Sequence, residues 1–275
     1  MKKSMHESTK VGMSFSKFKF KAIHTMELIK LLVKKDIKVR YKRSILGVAW
    51  TLLNPILTAL LLWIIFLTVF HNQLSPSTNF STYVLSGVLI VNYFVQGVNS
   101  SSEIIQTESK LLTKVKVSPE ILVIASTTAH SVNFIVGIIP LIILSFAFDD
   151  GISLLIVIVP LFILVMQMLL TGIVFFLSIL FVKFADAKSI TFIIIGFLIY
   201  STPVFYPIGI LGGFSRVVVD LNPVTALMEQ FRFFLLGIGH FSSLQIAYFS
   251  GMGLFLLIAG AKYFKHSWRK VACMM

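Results

Sequence analysis

Charged side chains are scarce in this sequence, and they are unevenly placed. Only 13% of the 275 residues are charged and 57% are hydrophobic, whereas soluble domains carry about 25% charged residues. The mean hydropathy is +0.92. This composition favours a single domain inside a membrane over one or two soluble domains. The net charge of +13 is concentrated beside apolar runs, so it indicates membrane topology and not a nucleic-acid partner.

Cysteine and the common catalytic motifs are also missing. Cys273 is the only cysteine, so no intramolecular disulfide can form, and no Cys/His cluster has metal-ligand spacing. The chain lacks a G-x-x-x-x-G-K-[ST] phosphate loop, a His-Glu-x-x-His metal motif and a G-x-S-x-G nucleophile elbow. We therefore expect no catalytic residue, no metal and no cofactor in this chain.

Long uncharged runs separate the clusters of charge. A membrane helix needs about 20 apolar residues, and a charged residue at its centre costs about 2.5–3.5 kcal/mol. The run 44–102 is long enough for two helices, split by the polar stretch 71–81, and four later runs hold one helix each. The sequence therefore predicts an all-α integral membrane protein with six spans. The predicted spans are about 45–70, 81–102, 120–147, 152–182, 189–208 and 243–263.

The basic residues predict the orientation of these spans. With six spans, both termini lie on the same side of the membrane. Of the 24 Lys and Arg residues, Arg216 and Arg232 alone fall on the opposite side. By the positive-inside rule, both termini are predicted to be cytoplasmic.

The spans and the charges together predict three segments of the chain. They are a basic cytoplasmic segment at 1–44, a transmembrane domain at 45–265 and a cytoplasmic tail at 266–275.

Two helices that do not cross the membrane are also predicted. Residues 26–40 separate an apolar face from a lysine face, with Leu31 and Asp36 as exceptions, which is typical of a helix lying along the membrane surface. Pro203 and Pro207 interrupt the end of span five. Asn222 and Pro223 then begin an apolar helix of about 14 residues, which is too short to cross. We expect an external re-entrant hairpin between spans five and six.

Polar residues in span two fall on one helical face. Asn92, Gln96, Asn99 and Glu103 recur at i, i+4, i+7 and i+11. They can line a conduit for a hydroxyl-rich substrate, or they can bond neighbouring helices at about 0.6 kcal/mol each. The residues leave both readings open. No acidic or basic residue lies deep in a predicted span, which argues against an ion-coupled carrier. For His130 we expect a hydrogen bond between helices.

Three stretches of the chain carry short motifs in a distinctive order and spacing. The first is RYKRSILGVAW at 40–50, followed by Asn-Pro at 54–55. The second is LLTKVKVSP at 111–119. The third runs from Asp186 through STPVFYP at 201–207 to LNP at 221–223 and Phe-Arg at 231–232. In this register the chain resembles the membrane subunits of ABC-2 type exporters for O-antigen, capsular polysaccharide and wall teichoic acid. Phe-Ala-Asp at 184–186 departs from the Arg-Phe-Arg-Asp that the family often shows.

The resemblance implies a homodimer in the bacterial cytoplasmic membrane, bound to two ATPase subunits that carry ATP and Mg²⁺. The implied substrate is a polymer linked through pyrophosphate to a polyprenyl lipid. Arginine binds phosphate bidentately, so the entrance residues would be Arg40, Tyr41 and Arg43. Polar and aromatic residues would line the path, namely Trp50, Asn92, Gln96, Asn99, Tyr200 and Tyr206. Cytoplasmic residues would couple to the ATPase, namely Glu108, Lys110, Leu111, Leu112, Lys114 and Asp186. The external gate would comprise Asn222, Pro223, Phe231 and Arg232.

Other functions share parts of this pattern. An ABC-2 type permease for a drug or another small lipophile has the same architecture, so only a substrate assay separates the two. A membrane-embedded lipid transferase should show acids or histidines clustered at an interface, and the sequence shows no such cluster. A channel would work without a partner. The choice among teichoic acid, O-antigen and capsule is left open.

Overall fold

A computed structural model describes residues 25–39, 49–50, 53, 56–58, 60–61, 64, 80–114, 117–147, 151–206 and 208–272. All regular structure in these ranges is α- or 3-10 helix, without a strand. The predicted all-α class is confirmed for this part of the chain. The helices are α1 (25–39), α2 (Phe80–Ser102), α3 (Ile104–Thr107), α4 (Ser109–Lys114), α5 (Pro119–Ala147), α6 (Val159–Lys183), α7 (Ala187–Tyr200), α8 (Gly213–Leu221), α9 (Pro223–Leu236) and α10 (Ser243–Val271).

Three described helices are long and apolar enough to cross a membrane, at Pro119–Ala147, Leu154–Lys183 and Ser243–Val271. They overlap the predicted spans 120–147, 152–182 and 243–263. The second of them joins a 3-10 turn, Leu154–Ile158, to α6. α2 has 23 residues over the predicted span 81–102. Most of the predicted span 45–70 lies outside the described residues.

α7 has 14 residues and ends at Tyr200, before the end of the predicted span at 208. The cause is local. A residue before proline avoids the helical region, and Pro203 follows Thr202. The Thr202 hydroxyl donates to the Leu198 carbonyl at 2.6 Å, which satisfies one carbonyl of the last turn.

α6 and α10 approach each other at the level of the backbone. A Cβ added to Gly172 would lie 2.6 Å from the Leu256 carbonyl carbon, and one added to Gly260 would lie 2.6 Å from the Gly172 oxygen. Small residues allow this approach between membrane helices. Beside the crossing, the rings of Phe175 and Phe264 lie 5.3 Å apart.

Hydroxyl and amide groups form a polar seam between α2, α5 and α6. Ser100 Oγ lies 2.6 Å from His130 Nε2, which confirms the predicted bond between helices. The remaining pairs of the seam are Ser101–Ser126 at 2.9 Å, Tyr93–Ser131 at 3.1 Å, Thr127–Thr171 at 3.0 Å, Gln167–Thr128 at 2.7 Å, and Ser131–Gln167. These bonds fix how the three helices face one another, because buried polar groups need partners.

Candidate functional site

Arg232 lies in the middle of α9 and is only 2% exposed. Its Nε donates to Ser86 Oγ at 3.0 Å. Its Nη2 donates to the backbone carbonyls of Tyr83, at 2.9 Å, and Val204, at 3.1 Å, and Nη1 lies 3.5 Å from the Pro203 carbonyl. The guanidinium carbon stands 3.5 Å from the centre of the Tyr83 ring, which is a cation–π geometry. Arg232 therefore joins α9 to the first two turns of α2 and to the segment after α7.

Arg232 carries a positive charge although it is buried. Burial lowers the pKa of the Arg232 guanidinium to about 10, so it remains protonated at neutral pH. Burial also raises the pKa of the Glu229 carboxyl, against the opposing effect of the nearby Arg232 charge.

The Arg232 guanidinium fits beside α2 because residue 87 is glycine. A Cβ at residue 87 would lie 2.8 Å from Arg232 Nη2.

Asn222 begins α9 and ties it to the end of α7. Its side-chain oxygen accepts from the Val224 amide at 2.9 Å, which is an N-cap. Its amide nitrogen donates to the Leu198 carbonyl at 3.0 Å and to the hydroxyls of Ser201 and Thr202, both at 2.9 Å. We call Asn222, Arg232 and the groups that they bind the α9 cluster.

The four residues predicted for an external gate all lie on or at the start of α9. Asn222, Phe231 and Arg232 are buried and Pro223 is half-buried. The Phe231 ring lies 5.4 Å from the Phe134 ring and 6.2 Å from the Phe162 ring. In this structure Phe231 and Arg232 hold α9 against α2, α5 and α6, while Asn222 ties its start to the end of α7.

The polar face predicted on α2 lies beside the polar seam and contributes no side chain to it. Asn92 and Asn99 are half-buried and Gln96 is exposed. None of these three side chains forms a hydrogen bond with another described residue. The hydrogen bonds of α2 within the seam come instead from the adjoining side of the helix, through Tyr93, Ser100 and Ser101.

The aromatic residues predicted for the path are dispersed. Trp50 is 46% exposed and Tyr200 is 88% exposed. Tyr206 is half-buried, and its carbonyl accepts from the Tyr83 hydroxyl at 3.1 Å beside the α9 cluster. A separate apolar cavity of about 250 Å³ lies between α2, α6, α7 and α9, with Thr191 as its one polar lining residue among those described.

Two ion pairs join the cytoplasmic ends of the helices, as the predicted topology assigns them. Lys35 Nζ on α1 lies 2.7 Å from Glu108 Oε1, between α3 and α4. Lys188 Nζ in the first turn of α7 lies 2.6 Å from Glu103 Oε1, after α2. We call them the loop ion pairs. Sequence reasoning missed both, because no local pattern links residues that lie 73 or more positions apart.

α1 is amphipathic in the predicted sense, and its less exposed face is turned to the protein. Leu28, Ile29, Leu32, Val33 and Ile37 are half-buried, while Lys30, Lys34, Lys35 and Lys38 are exposed. Asp36, the exception in the sequence pattern, is half-buried on the same face. A shallow cleft beside it is lined by Leu32, Val39, Ile104 and Leu122 among others. α1 thus contacts the starts of α3 and α5.

The predicted coupling residues lie in α4 or directly before it, except Asp186, which precedes α7. Leu111 and Leu112 are half-buried, and Leu112 packs against the core. Lys110 is exposed, and so is Asp186, whose side chain does not cap α7. Lys114 is the last residue of α4. Arg40, Tyr41 and Arg43, predicted for the entrance, lie outside the described residues.

Known proteins match most of this chain. A family model described as ABC-2 type transporter matches residues 27–236, from the start of α1 to the last residue of α9. The O-antigen export system permease protein RfbA of Myxococcus xanthus is 27% identical over 203 residues, which are 73% of this chain and 77% of the relative. A protein of the same name from Klebsiella pneumoniae is 23% identical over 250 residues, which are 90% of this chain and 95% of the relative.

Proposed function

Since the chain belongs to the ABC-2 type transporter family, we propose that it is the permease subunit of an ATP-driven exporter for a lipid-linked cell-envelope glycopolymer. The observation that carries the proposal is the match over 27–236 together with near full-length relatives named O-antigen export permeases. O-antigen, capsular polysaccharide and wall teichoic acid are the candidate cargoes. The chain is a multi-pass membrane subunit, and we place it in the bacterial cytoplasmic membrane.

The energy source in this proposal is a separate ATPase. The chain has no phosphate loop of its own, so ATP and Mg²⁺ would bind to two copies of a nucleotide-binding subunit beneath a permease homodimer. The proposed topology has six spans, cytoplasmic termini and an external re-entrant hairpin formed by α8 and α9. The placement of Lys and Arg supports this orientation.

The coupling step is assigned to α4 and the first turn of α7. Exposed Lys110 and Asp186 would contact the ATPase by charge, while Leu111 and Leu112 would enter an apolar groove on it. Through the Lys35–Glu108 ion pair, a movement of α4 would be transmitted directly to α1. Arg40, Tyr41 and Arg43 follow α1 in the chain and would bind the substrate pyrophosphate.

The polar face of α2 is the best-supported part of the path. Asn92, Gln96 and Asn99 bind no other described residue, so their amides remain available to sugar hydroxyls or to a second copy of the chain. Amide groups in hydrocarbon without partners cost free energy, which favours a water- or sugar-filled space beside them. Trp50, Tyr200 and Tyr206 would add aromatic surfaces for sugar rings.

One observation favours the alternative of a small lipophilic cargo. The cavity between α2, α6, α7 and α9 is almost wholly apolar among its described residues, as in sites for apolar ligands. Its volume of about 250 Å³ suits part of a small molecule better than a sugar chain.

A reconstituted complex separates the two functions. The chain and its ATPase are placed in proteoliposomes, and ATP hydrolysis is measured with a polyprenyl-pyrophosphate-linked glycan or with lipophilic drugs. We expect stimulation by the glycan, about a tenfold loss of it in N92L/Q96L/N99L, and retention in N92Q/Q96N/N99Q, which keeps every amide. Stimulation by drugs alone, unaffected by the leucine variant, would establish the alternative. ATPase activity from the chain alone, free of any other subunit, would refute both.

A further inference from the structure

The cytoplasmic end of α10 carries a cationic surface to which neither the family nor the proposed path assigns a role. A cleft there is lined by Lys262, Lys265, His266, Trp268 and Arg269 of α10, with Glu120 of α5. Lys262 and Lys265 are exposed and take part in none of the ion pairs of the described residues. The cations in the cleft therefore exceed its single carboxylate.

The level of this cleft relative to the membrane follows from helix length. α10 has 29 residues, or about 43 Å at 1.5 Å per residue, whereas the hydrocarbon core is about 30 Å thick. Residues 244–261 carry no charged side chain and fill about 27 Å of that core. Lys262 and the turns that follow it thus lie at the headgroup level.

Neighbouring helices end at the same level. α6 ends at Lys183, whose Nζ lies 5.8 Å from the centre of the Tyr263 ring. α5 begins at Pro119, and its second residue, Glu120, lines the cleft. Trp268 stacks on Phe264 with ring centres 5.8 Å apart, and Trp and Tyr are enriched at membrane interfaces.

The cationic residues continue an apolar strip on the same side of α10. At about 100° per residue, Leu254, Ile258, Lys262, Lys265 and Arg269 fall within about 80° of arc. Leu254 and Ile258 are 48% and 47% exposed. One face therefore presents hydrocarbon contacts at Leu254 and Ile258 and, about one turn after Ile258, the first of a row of cations.

We propose that this face of α10 is a binding site for one anionic phospholipid. Its acyl chains lie along Leu254 and Ile258, and its phosphate is bound by Lys262 and Lys265. Charge complementarity and position select this occupant, because basic pockets at the cytoplasmic ends of membrane helices bind anionic headgroups. The site is separate from the polar face of α2 and from α4, so it does not depend on the proposed cargo.

The test is native mass spectrometry of the full-length chain, complexed with its ATPase, titrated with phosphatidylglycerol or phosphatidylcholine of identical acyl chains. We expect the wild type to prefer phosphatidylglycerol. K262Q/K265Q should reduce that preference by about 30-fold, which corresponds to about 1 kcal/mol per basic residue near an anionic surface. K262R/K265R should retain it, and K2Q/K3Q, which removes equal charge elsewhere, should not change it.

Two further measurements separate the lipid from other anions and from the partner. I258S should weaken both lipids equally, and millimolar glycerol phosphate should not displace phosphatidylglycerol. Displacement by glycerol phosphate would identify a site for free phosphate and overturn the proposal. An unchanged lipid preference in K262Q/K265Q would also overturn it. Loss of the ATPase from that variant, with lipid binding intact, would make the surface a protein-docking face instead.

Discussion

The α9 cluster joins its helices through buried hydrogen bonds, whereas the loop ion pairs join theirs through charges that are open to solvent. The α9 cluster is buried: Arg232 is 2% exposed, and its partners include backbone carbonyls that cannot move independently of the chain. The loop ion pairs are open to solvent, with side chains 44% and 27% exposed for Lys35 and Glu108, and 66% and 29% for Lys188 and Glu103.

This difference in burial predicts which helices can move relative to one another. Removing a partner from a buried charged group costs several kcal/mol, whereas an exposed ion pair contributes about 0–1 kcal/mol. The α9 end should therefore move as one unit, while α1 and the first turn of α7 can shift against α3 and α4 at little cost. In the proposed exporter, the adjustable end faces the ATPase.

The largest effect should come from the buried arginine. R232Q leaves the carbonyls of Tyr83 and Val204 without their cationic donor, and should cost about 3–5 kcal/mol of stability. Thermal unfolding of the purified protein in detergent measures this. The control is R216Q, which removes an exposed Arg216–Asp220 pair and should change stability by less than about 1 kcal/mol. Equal destabilisation by the two changes would contradict the assignment.

The second effect concerns the space beside that arginine. In G87A, the new Cβ would lie 2.8 Å from Arg232 Nη2 and 2.9 Å from Val204 Cγ1, so overpacking should cost about 1–3 kcal/mol. G196A on α7 is the matched control, because nothing lies within 4 Å of a Cβ there. The same unfolding assay should show a lower midpoint for G87A alone. A normal midpoint for G87A would mean that the guanidinium is not confined.

The third prediction separates two contributions of Asn222 to stability, the N-cap made by its oxygen and the contacts made by its amide nitrogen. N222S keeps an oxygen that can cap α9 but loses the amide that binds Leu198, Ser201 and Thr202. N222A loses both, and an N-cap alone contributes about 0.5–2 kcal/mol. Stability should therefore fall in the order wild type, N222S, N222A. If N222S were as unstable as N222A, the amide contacts to the end of α7 would dominate and the cap would contribute little.

The smallest effect on stability should come from the loop ion pairs. K35E and E108K should each change unfolding by less than about 1 kcal/mol, yet each should lower substrate-stimulated ATP hydrolysis in the assembled complex. The double variant K35E/E108K restores the pair with reversed charge and should recover hydrolysis, and a double-mutant cycle gives the coupling. Independent effects of the two substitutions would exclude the pair as a connection between α1 and α4.

Much of the fold was readable in the chain because membranes impose strong rules on composition. Uncharged runs of sufficient length located α5, α6 and α10, and the Asn222–Pro223 pair located the start of α9. The end of α7 was harder to predict, because an apolar run continues past Tyr200. There, Thr202 and Pro203 end the helix through local hydrogen bonds and backbone restriction.

The candidate site was only partly predictable. The importance of Arg232 was visible as a cation in an apolar segment, but its partners are mainly backbone carbonyls, which leave no trace in sequence. The i, i+4, i+7 spacing of Asn92, Gln96 and Asn99 put them on one face of α2. Only the packed helices show that these three side chains contribute no hydrogen bond to the seam, because the seam residues of α2 lie on the adjoining side of the helix.

What the sequence by itself determined is the class of protein and the positions of the long apolar helices among the described residues, since hydrophobic length acts locally along the chain. The distribution of charge adds a prediction of sidedness. Tertiary structure decided which polar groups are satisfied. His130 forms a hydrogen bond with Ser100, Arg232 donates to Ser86 and to three carbonyls, and Lys35 forms an ion pair with Glu108. Such pairings depend on which helix faces are brought together by close packing, as at Gly172 and Gly260, and a linear pattern does not specify them.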